Sequence, residues 1–202
     1  MERRTDRLGA LIDQFRASCE ISRARLVGLT DEEYLWEPAP GGWSLRRRGE
    51  ATSPMAYGAG DWVLDFALPE PKPAPVTTIA WRLGHLYTGF SLRWEWSFGG
   101  RQRLWDTIQL TPFAEEALER FWALIDRWSD SVGQLTAEQL DTVGFGQYPG
   151  GLDPKMPFIT VVWWTNRELI QHMAEIALLR DLWTTRATPP TARGSARSVG
   201  QQ

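Results

Sequence analysis

Histidine is scarce in this chain of 202 residues, and its two histidines are the first residues to consider for chemistry. His172 follows Glu168 by four residues in a stretch, WWTNRELIQHMAEIALLRDLW, whose periodicity predicts a helix. Residues four apart share one helix face, and at about 100° per residue this face points inward. An ionised carboxylate that faces a core is costly unless it is paired or binds a metal ion. The pair therefore predicts either an ordinary hydrogen-bonded contact or part of a metal site.

His85 is the third candidate ligand, in the middle of a second predicted helix. Gly89 follows one turn later and would leave space beside the imidazole. If this helix packs against the last one, two imidazoles and one carboxylate converge, which is a ligand set typical of catalytic zinc. The alternative is a core histidine with an ordinary hydrogen bond, and spacing alone favours that alternative.

Two charged residues flank these candidates. Glu175 follows His172 by three residues and is a candidate general base or a support for that ligand. The alternative is a helix carboxylate that pairs with Arg180 or Arg82. Arg82 itself precedes His85 by three residues, and a salt bridge is a simpler interpretation than contact with an anionic substrate.

Aromatic residues and a glycine-rich loop could shape a pocket around the candidate ligands. Trp81 and Trp96 flank His85 on the same predicted helix, although packing in the core is the ordinary role of tryptophan. The loop GFGQYPGG at 144–151 could cover the site. Its glycines are not spaced as in a phosphate-binding motif.

The composition argues against several classes of protein. A net charge of −3, from 22 basic and 25 acidic residues, provides no global basic field for nucleic acid, and the run Arg46–Arg48 is expected to be solvated. The single cysteine, Cys19, excludes an intrachain disulfide and favours a reducing cytoplasm. The N-terminus lacks the apolar segment of a secretory signal, and the most apolar stretch, 156–164, is too short to span a bilayer. We therefore expect a cytoplasmic protein that binds neither nucleic acid nor membrane.

Four long helices must position the candidate residues. Their apolar periodicity predicts the ranges 5–28, 77–98, 111–132 and 158–183. Thr111 and Pro112 are expected to cap and begin the third helix. Residues 38–76 and 141–157, rich in glycine, proline and aromatic side chains, are predicted to be ordered loops, and we find no strand pattern. The expected fold is all-α: an antiparallel four-helix bundle with a long crossover loop over residues 1–186, followed by a disordered tail over 187–202.

Four stretches of the chain carry a family resemblance: PGGWSLRRRGE at 40–50, TTIAWRLGHL at 77–86, FGG at 98–100 and WWTNRELIQHMAEIALLRDLW at 163–183. They resemble the DinB-like superfamily. This superfamily includes the metal-binding N-terminal domain of mycothiol-dependent maleylpyruvate isomerase and the bacterial thiol S-transferases. The resemblance covers roughly residues 5–185, and its order and spacing agree with the predicted bundle.

The resemblance implies that His85, Glu168 and His172 are metal ligands. The family usually carries a His-x-x-x-His pair on its last helix, whereas this chain has glutamate at the first position, as in the maleylpyruvate isomerase branch. A ligand set of two nitrogens and one oxygen makes zinc the first choice, with nickel and iron as alternatives.

The resemblance also implies an activity. A coordinated thiol ionises readily, and the thiolate is a nucleophile toward small electrophiles. The implied function is a zinc-dependent S-transferase or isomerase that uses a low-molecular-weight thiol such as mycothiol, with Glu175 in a catalytic role and a homodimer as the assembly. The alternative is a metal-binding stress or structural protein without turnover.

Overall fold

The computed structural model describes residues 6–151 and 153–186, and in these ranges the chain is mainly helical. The helices are α1 (Arg7–Leu26), α2 (Asp31–Leu35), α3 (Ile79–Phe98), α4 (Ala114–Gly133), α5 (Ala137–Asp141) and α6 (Phe158–Thr185). The strands are β1 (Leu45–Arg47), β2 (Met55–Tyr57) and β3 (Trp62–Phe66), and short 3₁₀ turns occupy Arg48–Glu50, Trp105–Thr107 and Asp153–Lys155. Among the described helices, none combines the length and apolar character that a membrane span requires. The tail predicted to be disordered, 187–202, lies outside the described residues.

The four long helices pack around one apolar core. Helix α1 contacts α4 and α6, and α3 contacts the same two helices. At the centre Phe90 of α3 meets Trp128 of α4 edge to face, with ring centroids 5.6 Å apart. Trp128 also packs against Phe158 at the start of α6, and all three side chains are buried. The observed bounds of α1, α3 and α6 agree with the predicted helices to within two residues at each end.

The start of α4 differs from the prediction. The helix begins at Ala114 rather than at Thr111 and Pro112, and its first residue is capped from another element. Asp31 of α2 accepts a hydrogen bond from the backbone nitrogen of Ala114 at 2.7 Å. Thr111 instead bonds the backbone nitrogen of Phe113 in the turn before the helix. A cap supplied by a distant residue leaves no local signal in the sequence.

The prediction of an entirely α-helical fold without strands is wrong, because the long crossover contains a small sheet. Its strands are antiparallel in the order β1-β3-β2, with Arg46 opposite Val63 and Ala56 opposite Asp65. The strands have only three to five residues, and the three central residues of β3 are all buried. Neither property produces the alternation by which a half-exposed strand is recognised.

Asp65 on β3 organises this crossover. Its buried carboxylate accepts hydrogen bonds from the backbone nitrogens of Ser44 at 3.1 Å, Thr52 at 2.9 Å and Ser53 at 3.2 Å. It also accepts one from Arg46 Nε at 2.8 Å. Burial alone would raise the pKa of Asp65, but these donors hold it below its ordinary value. One carboxylate on β3 thus holds both the start of β1 and the residues that precede β2.

In the basic run Arg46–Arg48, Arg47 and Arg48 are exposed as expected, but Arg46 is half-buried, and both Arg46 and Arg48 make specific contacts. Arg46 pairs with Glu37 at 2.8 Å as well as with Asp65. Arg48 donates to the backbone oxygens of Gly60 at 2.9 Å and Gly58 at 2.7 Å. Arg46 and Arg48 therefore connect β1 to β3 and to the turn that precedes β3.

The sheet supports the first turn of α3, where the candidate site begins. Trp81 donates from its indole nitrogen to the backbone oxygen of Asp65 at 2.8 Å. Its ring lies against Trp43, with centroids 5.8 Å apart, and Trp43 in turn exchanges backbone hydrogen bonds with Val76 and Thr78. The crossover therefore fixes the orientation of a tryptophan one turn from His85.

Candidate metal centre

The structure brings His85 of α3 together with Glu168 and His172 of α6. One ligand atom from each residue lies within 4.8 Å of the other two. Glu168 Oε2 is 3.4 Å from His172 Nε2 and 3.9 Å from His85 Nε2. A tetrahedral ion with bonds of about 2.0–2.1 Å separates its ligand atoms by about 3.3–3.4 Å. The three residues therefore fit a small divalent cation with little movement.

Glu168 is buried with its carboxylate turned toward the histidines, as the helix geometry predicts. Its side chain is 14% exposed. Burial would raise its pKa, but contacts with His172, His85 and Arg167 hold the pKa of Glu168 well below its ordinary value. Arg167 Nη2 donates to the outer oxygen, Oε1, at 2.7 Å. The inner oxygen, Oε2, faces the two imidazoles as a carboxylate at neutral pH.

His172 is oriented by the carboxylate of Glu175. The distance from His172 Nδ1 to Glu175 Oε2 is 2.7 Å, and Arg82 Nη1 donates to the same oxygen. Arg82 Nη1 also lies 3.1 Å from His172 Nδ1. Since the carboxylate of Glu175 can only accept, its 2.7 Å contact places the proton on His172 Nδ1, and both His172 and Arg82 donate to Glu175. In a neutral imidazole this assignment leaves the lone pair on Nε2, directed at Glu168.

This tautomer makes the 3.4 Å approach of His172 Nε2 to Glu168 Oε2 informative. Both atoms are then hydrogen-bond acceptors, and two acceptors attract each other only through a proton or a cation between them. A metal ion satisfies both atoms. An imidazolium at His172 would satisfy them as well, by donating from Nε2 to Glu168, and this is the alternative that an experiment must separate.

His85 is held between two rings. It stacks on Trp81 with centroids 5.1 Å apart and an interplanar angle of 7°, and it meets His172 edge to face at 5.0 Å. Burial lowers the pKa of His85 below its ordinary value, against the opposing effect of Glu168. His85 is therefore neutral at pH 7, which is the form that binds metal ions.

A pocket of about 480 Å³ opens beside His85, whose side chain is 38% exposed. It lies between α3, the start of α6 and the loop that precedes α6. The sequence predicts open space next to Gly89, but the guanidinium of Arg93 occupies it. Arg93 Nη1 lies 3.6 Å from the position that a Cβ added at Gly89 would take. Other lining residues include Trp105, Tyr148, Asp153, Met156, Trp163 and Trp164.

Several pocket residues are not predicted from the sequence. Arg93 and Asp153 are buried charged residues, whereas both types are usually exposed, so composition gives no signal for them. A spacing signal does exist: Arg93 lies eight residues after His85, and Trp164 lies four before Glu168, each on the face of its ligand.

The predicted pocket elements are partly found. The 144–151 loop contributes Tyr148, Gly150 and Gly151 to the lining. Trp81 stacks on His85, whereas Trp96 is not among the lining residues and packs in a small apolar cluster with Leu92, Ile108 and the lining residue Tyr148.

These features define a mainly helical protein with a candidate metal centre, two imidazoles and one carboxylate, at the edge of an aromatic pocket. A family model described as the DinB superfamily matches residues 63–176, which are 114 of the 202 residues. The chain therefore belongs to the DinB superfamily. The matched range contains the three candidate ligands and Glu175. Neither the curated proteins nor the solved structures gave a match to this chain.

Proposed function

We propose that the chain binds one divalent metal ion through His85, Glu168 and His172, with zinc preferred over nickel and iron. The observation that supports this most directly is the approach of Glu168 Oε2 to both imidazole Nε2 atoms, at 3.4 Å and 3.9 Å. The donor types match those of zinc sites that keep an open position. We also propose that the four long helices form the antiparallel bundle that the resemblance implies.

The proposed activity is transfer or isomerisation that uses a low-molecular-weight thiol, such as mycothiol, and a small electrophile. A metal ion bound by these residues would supply a lowered pKa to a coordinated thiol. The chain's own residues prepare the site: His85 is neutral, Glu168 is ionised, and Glu175 holds the proton of His172 on Nδ1. The pocket beside His85 offers space for the electrophile and aromatic surface that excludes water.

A role for Glu175 in catalysis remains a prediction. Its carboxylate contacts His172 and Arg82, so the geometry supports a positioning role more directly than a proton transfer to substrate.

A cytoplasmic location and a homodimer are also proposals. The homodimer is supported by apolar side chains that are exposed on α1 and α6, namely Ile21, Ile170 and Leu178. Sedimentation equilibrium would test this assembly.

The alternative is a hydrogen-bonded cluster without an ion or turnover. The contact of Arg167 with the outer oxygen of Glu168 favours it, because the guanidinium neutralises part of the buried charge. A protonated His172 would complete the network by donating to Glu168 and Glu175.

Metal quantification on protein purified without a polyhistidine tag tests the proposal. We expect about one zinc per chain in the wild type and none in His172→Ala, with equal helix content by circular dichroism. Glu119→Ala, an exposed glutamate on α4, is the control and should retain the metal. Equal metal content in the wild type and His172→Ala would overturn the proposed site.

The activity is tested separately with a chromogenic electrophile, 1-chloro-2,4-dinitrobenzene, and a panel of low-molecular-weight thiols. The sulfur–carbon bond forms, chloride leaves, and the thiol proton goes to solvent. We expect turnover in the metal-loaded wild type and not in His172→Ala. A metal-loaded wild type that shows no thiol-dependent turnover with any electrophile tried would favour the alternative of a stress or structural protein.

A further inference from the structure

Arg93 is the buried cation of the pocket. Its side chain projects from the same face of α3 as His85, two helical turns away, and the residue is 8% exposed. The guanidinium stacks on Trp164 at 4.0 Å and lies 5.2 Å from the ring of Tyr148. Burying a guanidinium is costly unless its donors are used, so its partners need to be accounted for.

Few of its donors are used by the described residues. Arg93 Nη1 donates to the backbone oxygen of Gly89 at a long 3.4 Å. Nε lies 3.2 Å from Asp153 Oδ2, but both atoms are buried and neither makes a hydrogen bond with good geometry. A guanidinium has five N–H donors. Arg93 therefore keeps most of its hydrogen-bonding capacity for another partner.

Arg180 of the same chain provides a comparison, because most of its hydrogen-bond donors are used. It donates to both oxygens of Glu33, at 2.8 Å and 3.2 Å, and to the backbone oxygens of Arg25 and Val27. Arg180 thus holds α6 against α2 and the C-terminal end of α1. Arg93 is more deeply buried than Arg180 but uses far fewer of its donors.

The walls around Arg93 define the shape of a partner. Trp105, Tyr148 and Trp164 present aromatic surface, and Met156 adds a flexible apolar side chain. Flat aromatic surfaces favour a flat, apolar ligand body. The guanidinium folds back to Gly89, which lies about one helical turn after His85 on α3.

We propose that this pocket binds a planar aromatic monocarboxylate, with the carboxylate on Arg93 and the ring directed toward His85. A planar guanidinium matches a carboxylate in two parallel hydrogen bonds. Arg93 carries one positive charge, for which Asp153 competes, so a ligand with a single negative charge fits it better than a doubly charged phosphate. The inference rests on the proposed function in one respect: it takes the aromatic acid to occupy the position where the electrophile would bind.

The test compares 2-naphthoate with the uncharged 2-naphthamide by isothermal titration calorimetry. We expect the acid to bind the wild type about 10- to 100-fold more tightly than the amide, as for hydrogen bonds to a charged group. Arg93→Gln should remove this preference. Arg23→Gln is the matched control, because Arg23 also stacks on a tryptophan, Trp122, and pairs with an aspartate, Asp126, but on the surface.

Asp153→Asn should change the affinity for 2-naphthoate in the direction opposite to Arg93→Gln. Removing the charge that competes for Arg93 should tighten 2-naphthoate binding severalfold and leave 2-naphthamide unchanged. If Arg93→Gln fails to fold because it leaves Asp153 buried alone, the double variant Arg93→Gln/Asp153→Asn removes both charges and should bind acid and amide equally. Equal binding of the two probes by the wild type, or absence of binding by either, would overturn the proposal.

Binding to metal-free His172→Ala separates this inference from the proposed metal site. Retained preference for 2-naphthoate in that variant supports Arg93 as the anchor. A preference that disappears with the metal while Arg93 is intact would mean that the carboxylate binds the ion, and would refute the inference alone. A wild type that binds no added zinc but still prefers 2-naphthoate would refute the metal site alone.

Discussion

The proton on His172 decides what the candidate centre can bind. Glu175 accepts from Nδ1 and thereby directs the Nε2 lone pair at Glu168, across 3.4 Å. Carboxylates that hold a ligand histidine in this way fix its tautomer and increase its basicity. The arrangement gives Glu175 a measurable effect on metal affinity although it is not itself placed among the ligands.

Replacing Glu175 by alanine should weaken zinc binding about 10- to 100-fold, because His172 loses the group that orients it. Affinity is measured by competition with a chromophoric chelator, and helix content should remain unchanged. Glu119→Ala, on the exposed face of α4, serves as the control and should leave the affinity unchanged. Unaltered affinity in Glu175→Ala would show that the tautomer is fixed by other groups.

Helix α3 contains two glycines whose surroundings differ. A Cβ at Gly89 would meet only Arg93 Nη1, at 3.6 Å, which is an ordinary contact. A Cβ at Gly84 would lie 3.0 Å and 3.2 Å from the two terminal methyl carbons of Leu64 on β3. The first position can therefore accept alanine, whereas the second is tightly packed against the sheet.

Gly89→Ala should raise the free energy of unfolding by about 0.5–1 kcal/mol, since alanine reduces the entropy of the unfolded chain and favours the helix. Gly84→Ala should lower it by about 1 kcal/mol, because the Leu64 side chain must move. Urea unfolding with unchanged slope measures both values. Effects of the same sign at the two sites would contradict the packing described for α3 and β3.

The crossover depends on a single carboxylate, so its stability should respond to acid. The folded pKa of Asp65 is below its ordinary, unfolded value of about 3.9. The carboxylate therefore stabilises the fold fully above that unfolded value, and the stabilisation is lost as the pH falls through the lower, folded pKa.

Asp65→Asn should lower the free energy of unfolding at pH 7 by about 2–4 kcal/mol, because it weakens several buried hydrogen bonds and leaves Arg46 without this partner. The difference from the wild type should narrow below about pH 4. Chemical denaturation at a series of pH values measures it, with Asp61→Asn, an exposed neighbour, as the control. A difference that stays constant down to pH 3 would mean that the charge of Asp65 is unimportant.

Across the whole molecule, features that repeat along the chain are predictable and features made by distant partners are not. Helices of 20 residues or more show their period many times, so α1, α3, α4 and α6 are found from the sequence, and only the start of α4 is misplaced. With only two histidines present, the number of candidate ligand sets is small. The three-residue strands have too few residues to show a period. The inward turn of Arg93 depends on Asp153 and Trp164, about 60 and 70 residues later in the chain.

The candidate centre joins α3 to α6, so an ion bound there should stabilise the whole fold. A ligand that binds only the folded state raises the free energy of unfolding by about 2.7 kcal/mol when its free concentration is about 100 times its dissociation constant. For a chain of this size that corresponds to a rise in Tm of about 5–11 °C. We expect zinc to produce this rise in chelator-treated wild type by differential scanning calorimetry, and not in His172→Ala or Glu168→Ala. An equal rise in those variants would place the ion elsewhere, and the shared hydrogen-bonded cluster would then be the better description of these residues.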